Sequence, residues 1–152
     1  MEIWVDADAC PGVIREIIAK AAQKRAINTT FVANHSFSLP KSPHVRLYQV
    51  PSGFDEADKE IERRVSKGDL VITADIPLAS DVLDKSALVL TPRGERYTEN
   101  NIKQRLQMRD FMETMRASGE HTGGPPALSL TERKHFSDQL DRLLTRAQRG
   151  QA

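Results

Sequence analysis

Five aspartates stand just past short apolar runs that read as strands. Asp6 and Asp8 follow Ile3-Trp4-Val5, and Asp75 follows Leu70-Val71-Ile72 with Thr73 two residues ahead. Asp55 and Asp58 open a helical pattern after the run Val45 to Val50 and the break at Gly53. In a parallel sheet the carboxyl ends of the strands share one edge, where open α/β folds bind their ligands. Neighbouring strands lie about 4.8 Å apart, so acids that end adjacent strands converge. Converging carboxylates repel one another and need protons or a cation, and all-oxygen ligands favour Mg²⁺ or Mn²⁺. Such an ion activates water and steadies a phosphoryl oxygen, which is the chemistry of phosphodiester hydrolysis. The expected metal set is Asp6, Asp8 and Asp75 with one or both of Asp55 and Asp58. The expected catalytic set is Asp6, Asp8, Asp75 and Thr73, the threonine orienting Asp75 or a water on the metal.

Each of these residues also has a plainer role open to it. Asp55 and Asp8 can cap the helices they precede, and Asp58 can serve its helix's first turn. Thr73 can be an ordinary strand residue. Asp6 and Asp75 sit against buried strands, where an uncompensated charge is costly, so function is the stronger reading for them.

The elements that must position these acids follow from periodicity. After Ile3-Trp4-Val5 comes Pro11, suited to a first helical turn. Val13, Ile14, Ile17, Ile18, Ala21 and Ala22 then recur at helical spacing through about Arg25. Thr29 to Ala33 and Val45 to Val50 read as strands. A helix runs from near Asp55 to a natural end at Gly68. Leu70 to Ile72 is a buried strand, a short helix spans Leu78 to Leu83, and Ala87 to Leu90 is the last strand. Beyond it the pattern is helical only, at Thr98 to Ser118 and Thr131 to Ala147, separated by a loop over Gly119 to Ser129. Strands alternating with helices predict an α/β fold. The expectation is a mostly parallel sheet flanked by helices, with two C-terminal helices, in one domain over 1–148 and a frayed tail over 149–152.

Composition narrows the function classes. The chain has 152 residues, 39% hydrophobic and 28% charged, with a formal charge of +1. A balance so close to neutral excludes gripping nucleic acid by bulk electrostatics, so a polyanion must be held locally. No apolar run approaches the length of a membrane span, and the start lacks a signal-peptide pattern. The single cysteine forms neither an internal disulfide nor a cysteine-rich zinc site. A cytoplasmic protein with no membrane partner is expected.

Positive charge near the acidic edge would receive phosphate. Arg93 follows the last predicted strand, with Arg96 close behind, and arginine is the preferred fork for phosphate oxygens. In the helix after Thr98, Arg105, Arg109 and Arg116 project within about 40° of one another. They either border the cleft or form structural ion pairs with acids. Asn34, at the end of the second strand, touches substrate or serves a turn. Lys20, Lys24 and Arg25 read as solvated surface, and the histidines show no ligand spacing. Only four residues separate Cys10 from Arg15, where the phosphate loop of Cys-dependent phosphatases needs five, so Cys10 reads as a packed thiol.

The blocks Val5-Asp6-Ala7-Asp8-Ala9-Cys10-Pro11, Gly53 to Asp58 and Gly68 to Ala79 resemble the YaiI/YqxD family of uncharacterised bacterial proteins. Pro92 to Tyr97, Arg109 to Met112 and Gly123-Gly124-Pro125 extend the resemblance over nearly the whole chain. More distantly the family is similar to PIN/NYN-type domains, metal-dependent ribonucleases with an acid after the first strand and Thr-x-Asp after a later one. Asp6, Thr73 and Asp75 match that pattern, so the resemblance implies a PIN-like nuclease fold. Ser86 departs from the family pattern, which favours glycine there.

The leading expectation is a Mg²⁺- or Mn²⁺-dependent phosphodiesterase acting on RNA, with DNA second, using Arg93, Asn34, Arg105 and Arg109 toward substrate. An alternative is a phosphatase of the haloacid dehalogenase type, with Asp6 as nucleophile and Asp8 as acid-base. That class needs a placed lysine and a late acidic pair, which Asp81 and Asp84 do not obviously supply. A third reading is a non-catalytic RNA-binding module.

Overall fold

A six-stranded sheet in the order β3-β2-β1-β4-β5-β6 carries the molecule. The computed structural model describes residues 1–53, 55–117 and 127–150. The strands are β1 (Ile3–Asp6), β2 (Thr29–Ala33), β3 (Val45–Gln49), β4 (Leu70–Ile72), β5 (Leu88–Leu90) and β6 (Arg96–Tyr97). The helices are α1 (Gly12–Arg25), α2 (Glu56–Arg64), α3 (Ile76–Asp84), α4 (Glu99–Ala117) and α5 (Leu130–Gln148), with a 3-10 turn over Ala7–Ala9. The first five strands pair in parallel, and β6 returns antiparallel on β5.

The central strands are apolar on both faces because helices cover both. Ile3, Val5, Phe31, Ile72 and Leu90 pack with Ile14, Ile18, Phe136 and Leu140 from α1 and α5. Trp4, Val32, Val71 and Val89 pack with Ile61, Leu78, Val82 and Ile102 from α2, α3 and α4. Register sets Val5 beside Ile72, and Asp6 beside Val32. Asp6 and Thr73 thus continue the alternation of Trp4 and Val71 toward the face covered by α2 and α3.

The predicted α/β class and mostly parallel sheet, with two helices at its C-terminal end, are observed. Several boundaries differ. Ala87 to Leu90 is not the last strand, since Arg96–Tyr97 forms a sixth, too short and too polar to show periodicity. The helix after Asp55 stops at Arg64, not Gly68: Val65 turns extended and buries its side chain. Gly68 instead takes the left-handed φ of 84° in the turn into β4. The start of α5 carried a signal that periodicity overlooked: Ser129 and Glu132 form a reciprocal capping box. Most of the loop predicted over Gly119 to Ser129 lies outside the described residues, as does the end of the tail. No helix among the described residues is long and apolar enough to cross a membrane.

Candidate functional site

Strand order reverses between β1 and β4, the neighbours whose connections run to opposite sides of the sheet. Such a switch point opens a crevice at the carboxyl ends of the strands. Asp6 ends β1 there and is 7% exposed. Thr73, one residue past β4, donates its hydroxyl to Asp6 Oδ2 at 3.0 Å and accepts the Asp75 backbone N–H at 3.0 Å. One hydroxyl therefore ties the two strand ends together. Asp75 caps α3, its Oδ1 accepting the Leu78 N–H at 2.9 Å, with Pro77 in the first turn. Capping occupies one oxygen and leaves the other for the crevice.

From the other side α2 brings Asp58, whose carboxyl lies in hydrogen-bonding contact with that of Asp75. Burial, then the charges of Asp75 and Asp6, push the Asp58 carboxyl up to about 7. Burial pushes Asp6 up to about 6; the Thr73 hydrogen bond opposes this, and the Asp75 and Asp8 charges add to it. Asp55 precedes α2 in the left-handed conformation, φ 63°, and is exposed; its side chain makes no capping bond. The capping role open to it is not the one it plays. A cleft of about 450 Å³ continues outward, lined by Asp55, Asp58, Asp75, Asp81, Arg109 and Glu113 among others.

Three of the lining acids, Glu62, Asp81 and Glu113, were not among the expected metal or catalytic residues. Asp81 lies one helical turn beyond Leu78, on the face that Asp75 begins, and that spacing was the available signal. Asp8 lies one strand across: its Oδ2 accepts the Asn34 N–H at 2.8 Å and its Oδ1 pairs with His35 Nδ1 at 2.9 Å. Asp8 caps no helix, since Pro11 precedes α1. Asn34 is thus placed at the rim through its backbone.

The arginines divide. Arg109 lines the acidic cleft and pairs with Glu113 at 3.1 Å and Asp110 at 3.5 Å. Arg93 meets Glu132 at the start of α5, at 2.7 Å, and Arg105 pairs with Glu95. Neither Arg93 nor Arg105 lines the cleft. Arg25, expected in solvent, instead holds α5 onto α1: it pairs with Asp141 and donates to Gln148 Oε1 at 3.0 Å. Cys10 is buried, and burial pushes its thiol up to about 12 against the pull of Arg15. A thiol so far from ionising is structural, as its spacing suggested.

Among the described residues no three His, Cys, Asp or Glu side chains form a ready-made metal cage. The donors at the switch point nevertheless suit a hard divalent cation. They are all oxygen, and two are driven toward neutrality by burial and mutual repulsion. Asp6, Asp58 and Asp75 are the residues that would hold it, with Asp55 and Asp8 at its margins.

Comparison with known proteins adds family. Residues 4–146 match the family described as "Uncharacterized BCR, YaiI/YqxD family". A UPF0178 protein of Colwellia psychrerythraea is 59% identical over 151 residues, covering 99% of this chain and 100% of that one. Another from Shewanella loihica is 62% identical over 146 residues, covering 96% and 97%, and one from Vibrio cholerae is 61% identical, covering 96% and 98%. Among solved structures, Rae1 (YacP) from Bacillus subtilis is similar, with a TM-score of 0.46 and 16% identity over 97% of this chain and 99% of that one. On identity and coverage alike, the chain belongs to the YaiI/YqxD family.

Proposed function

We propose that this chain is a Mg²⁺- or Mn²⁺-dependent phosphodiesterase that hydrolyses RNA, with DNA as the second candidate substrate. The observation that carries the reading is the crowding of Asp6, Asp58 and Asp75 at the switch point, two of them pushed up toward neutrality. Acids held in that state gain most from a divalent cation, which relieves burial and repulsion together. The resemblance to PIN/NYN-type domains points the same way and is the ground for placing RNA first.

When bound, a divalent ion supplies a Lewis acid that lowers the pKa of water and stabilises charge on a phosphoryl oxygen. The chain's own residues divide the remaining work. Thr73 fixes the rotamer of Asp6 and the backbone of Asp75, so both carboxylates keep their aim. The N-terminus of α3 holds Asp75 by its cap. Arg109, at the cleft wall, is placed to meet a phosphate once it exchanges Glu113 for the stronger anion. Arg93 and Arg105 are engaged by acids outside the cleft, so either would have to leave its carboxylate partner to reach substrate.

The phosphatase alternative has less support. Its acid-base, Asp8, is turned to Asn34 and His35. The lysine at the cleft, Lys59, lies 3.9 Å from Glu56.

The test is cleavage of mixed RNA and DNA substrates by the intact chain in Mn²⁺, beside Asp6→Asn, with Mn²⁺ calorimetry on both. The expected result is Mn²⁺ heat and RNA cleavage that the variant loses. Equal heats would end the metal site, and RNA binding without cleavage under any metal would leave a binding module.

A further inference from the structure

A second cavity, of about 630 Å³, lies where the end of α5 meets the sheet. It is larger than the acidic cleft and opens at the opposite edge: Lys67 and Gly68 precede β4 and Ser86 precedes β5. Leu88, Leu143 and Ala147 give it an apolar wall, and Arg96, Arg146 and Lys67 supply its charge. No acid among the described residues lines it.

The arginines here differ from three others in the fold. Arg25, Arg93 and Arg105 each bridge two elements through a carboxylate. Arg96 and Arg146 meet no carboxylate among the described residues, and Arg96 buries its Nε without an acceptor. Burial, and after it the like charge of Arg146, disfavours the Arg96 guanidinium. Arg146 stands in the last turn of α5, where a cation offsets the helix dipole. That accounts for one charge and leaves Arg96 unexplained. A fold that holds two guanidiniums together without counter-charge is poised for an anion.

We propose that this cavity binds a phosphate monoester carrying an apolar or ring-shaped body, held by Arg96 and Arg146 with Lys67 at the rim. Two arginine forks and an ammonium match the charge of a phosphate monoester, about −1.5 to −2 at neutral pH. They also match its several acceptor oxygens. The apolar wall formed by Leu88, Leu143 and Ala147 gives the rest of the molecule a surface to lie on. The volume falls in the range of small-molecule sites. The proposal is independent of the acidic cleft and its metal.

The test is calorimetric titration of the full chain in EDTA with inorganic phosphate and with adenosine monophosphate. Both bind, and the nucleotide binds at least about tenfold more tightly because only it uses the apolar wall. Arg96→Gln and Arg146→Gln each weaken the nucleotide about tenfold or more. Arg146 is exposed, so Arg146→Gln folds even if Arg96→Gln does not. In Arg146→Gln the relieved repulsion offsets the lost interaction with the helix dipole, so the melting temperature of the unliganded protein stays close to that of the native chain. Amide shifts on nucleotide addition centre on Gly68, Leu88 and Ala147. The proposal is overturned by absence of heat at millimolar ligand or by binding that Arg146→Gln retains. Equal affinity for phosphate and nucleotide, or shifts confined to Asp6, Thr73 and Asp75, overturns it as well.

Discussion

Asp6 keeps its proton to about pH 6 when folded, whereas an ordinary aspartate releases it near 3.8. Between those values the folded state binds more protons than the unfolded one, so stability falls as pH rises through the window and levels off above it. The loss is about 1.4 kcal/mol for each pH unit in that window, or roughly 3 kcal/mol in all. Asp6→Asn removes it. In EDTA the variant's advantage over the native chain should therefore grow from pH 4 to 7 in denaturant melts, and Mn²⁺ at pH 7 should raise the melting temperature of the native chain alone. A flat difference would deny Asp6 its buried charge. Ser86 is the opposite case, a residue with no chemistry and a backbone cost. Its φ of 64° is left-handed, which a Cβ disfavours. Glycine suits that conformation, so Ser86→Gly should stabilise the protein by about 1 kcal/mol, read from the urea midpoint.

Helix α5 is held at both of its ends. Near its C-terminus Arg25 reaches Asp141 and Gln148, and near its start Arg93 reaches Glu132, which also completes the Ser129 capping box. Between Arg93 and Glu95 the chain turns back into β6 at Gly94, φ 92°, and this turn lies against the helix backbone. A Cβ at Gly94 would stand 2.8 Å from the Phe136 nitrogen and 2.9 Å from the His135 carbonyl carbon. Backbone cannot yield as a flexible side chain does. Gly94→Ala should therefore cost about 3 kcal/mol, part from the left-handed φ and part from the displaced helix. Hydrogen exchange should show α5 losing protection before β1 and β4 do. Unchanged protection in α5 would mean the turn does not seat the helix.

Taken whole, the molecule is close to neutral but its charge is sorted. Acids line the cleft at the carboxyl edge of the sheet, and Arg96 and Arg146, which meet no carboxylate among the described residues, line the cavity at the amino edge. An acidic crevice repels a polyanion until a cation fills it, and a net charge of +1 supplies no general attraction to compensate. RNA should accordingly bind at least about tenfold more weakly in EDTA than in Mn²⁺, with a shallow salt slope in EDTA. Fluorescence anisotropy with a labelled RNA would measure both. Tight, steeply salt-dependent binding in EDTA would move the RNA contact away from the acids.

The strands, the helices and the edge that bears the acids were legible along the chain, because periodicity and buried apolar runs are local properties. Leu70-Val71-Ile72 followed by Thr73 and Asp75 announces a strand end with chemistry, and the structure puts Thr73 in contact with Asp6. Partner choice was not legible. Nothing near Arg93 in sequence points to Glu132, 39 residues away, nor near Arg25 to Asp141, 116 away. Arg96–Tyr97 is too short to show a period, and the weights of Asp58 and Asp8 depended on which strand ends lie side by side. The sequence by itself determined the α/β class, the family and the strand ends at which Asp6 and Asp75 stand, since these follow from local pattern. The tertiary structure decided which acids meet, which arginines are neutralised and which are left facing each other, because charge pairing depends on distances that only the packed sheet and helices set.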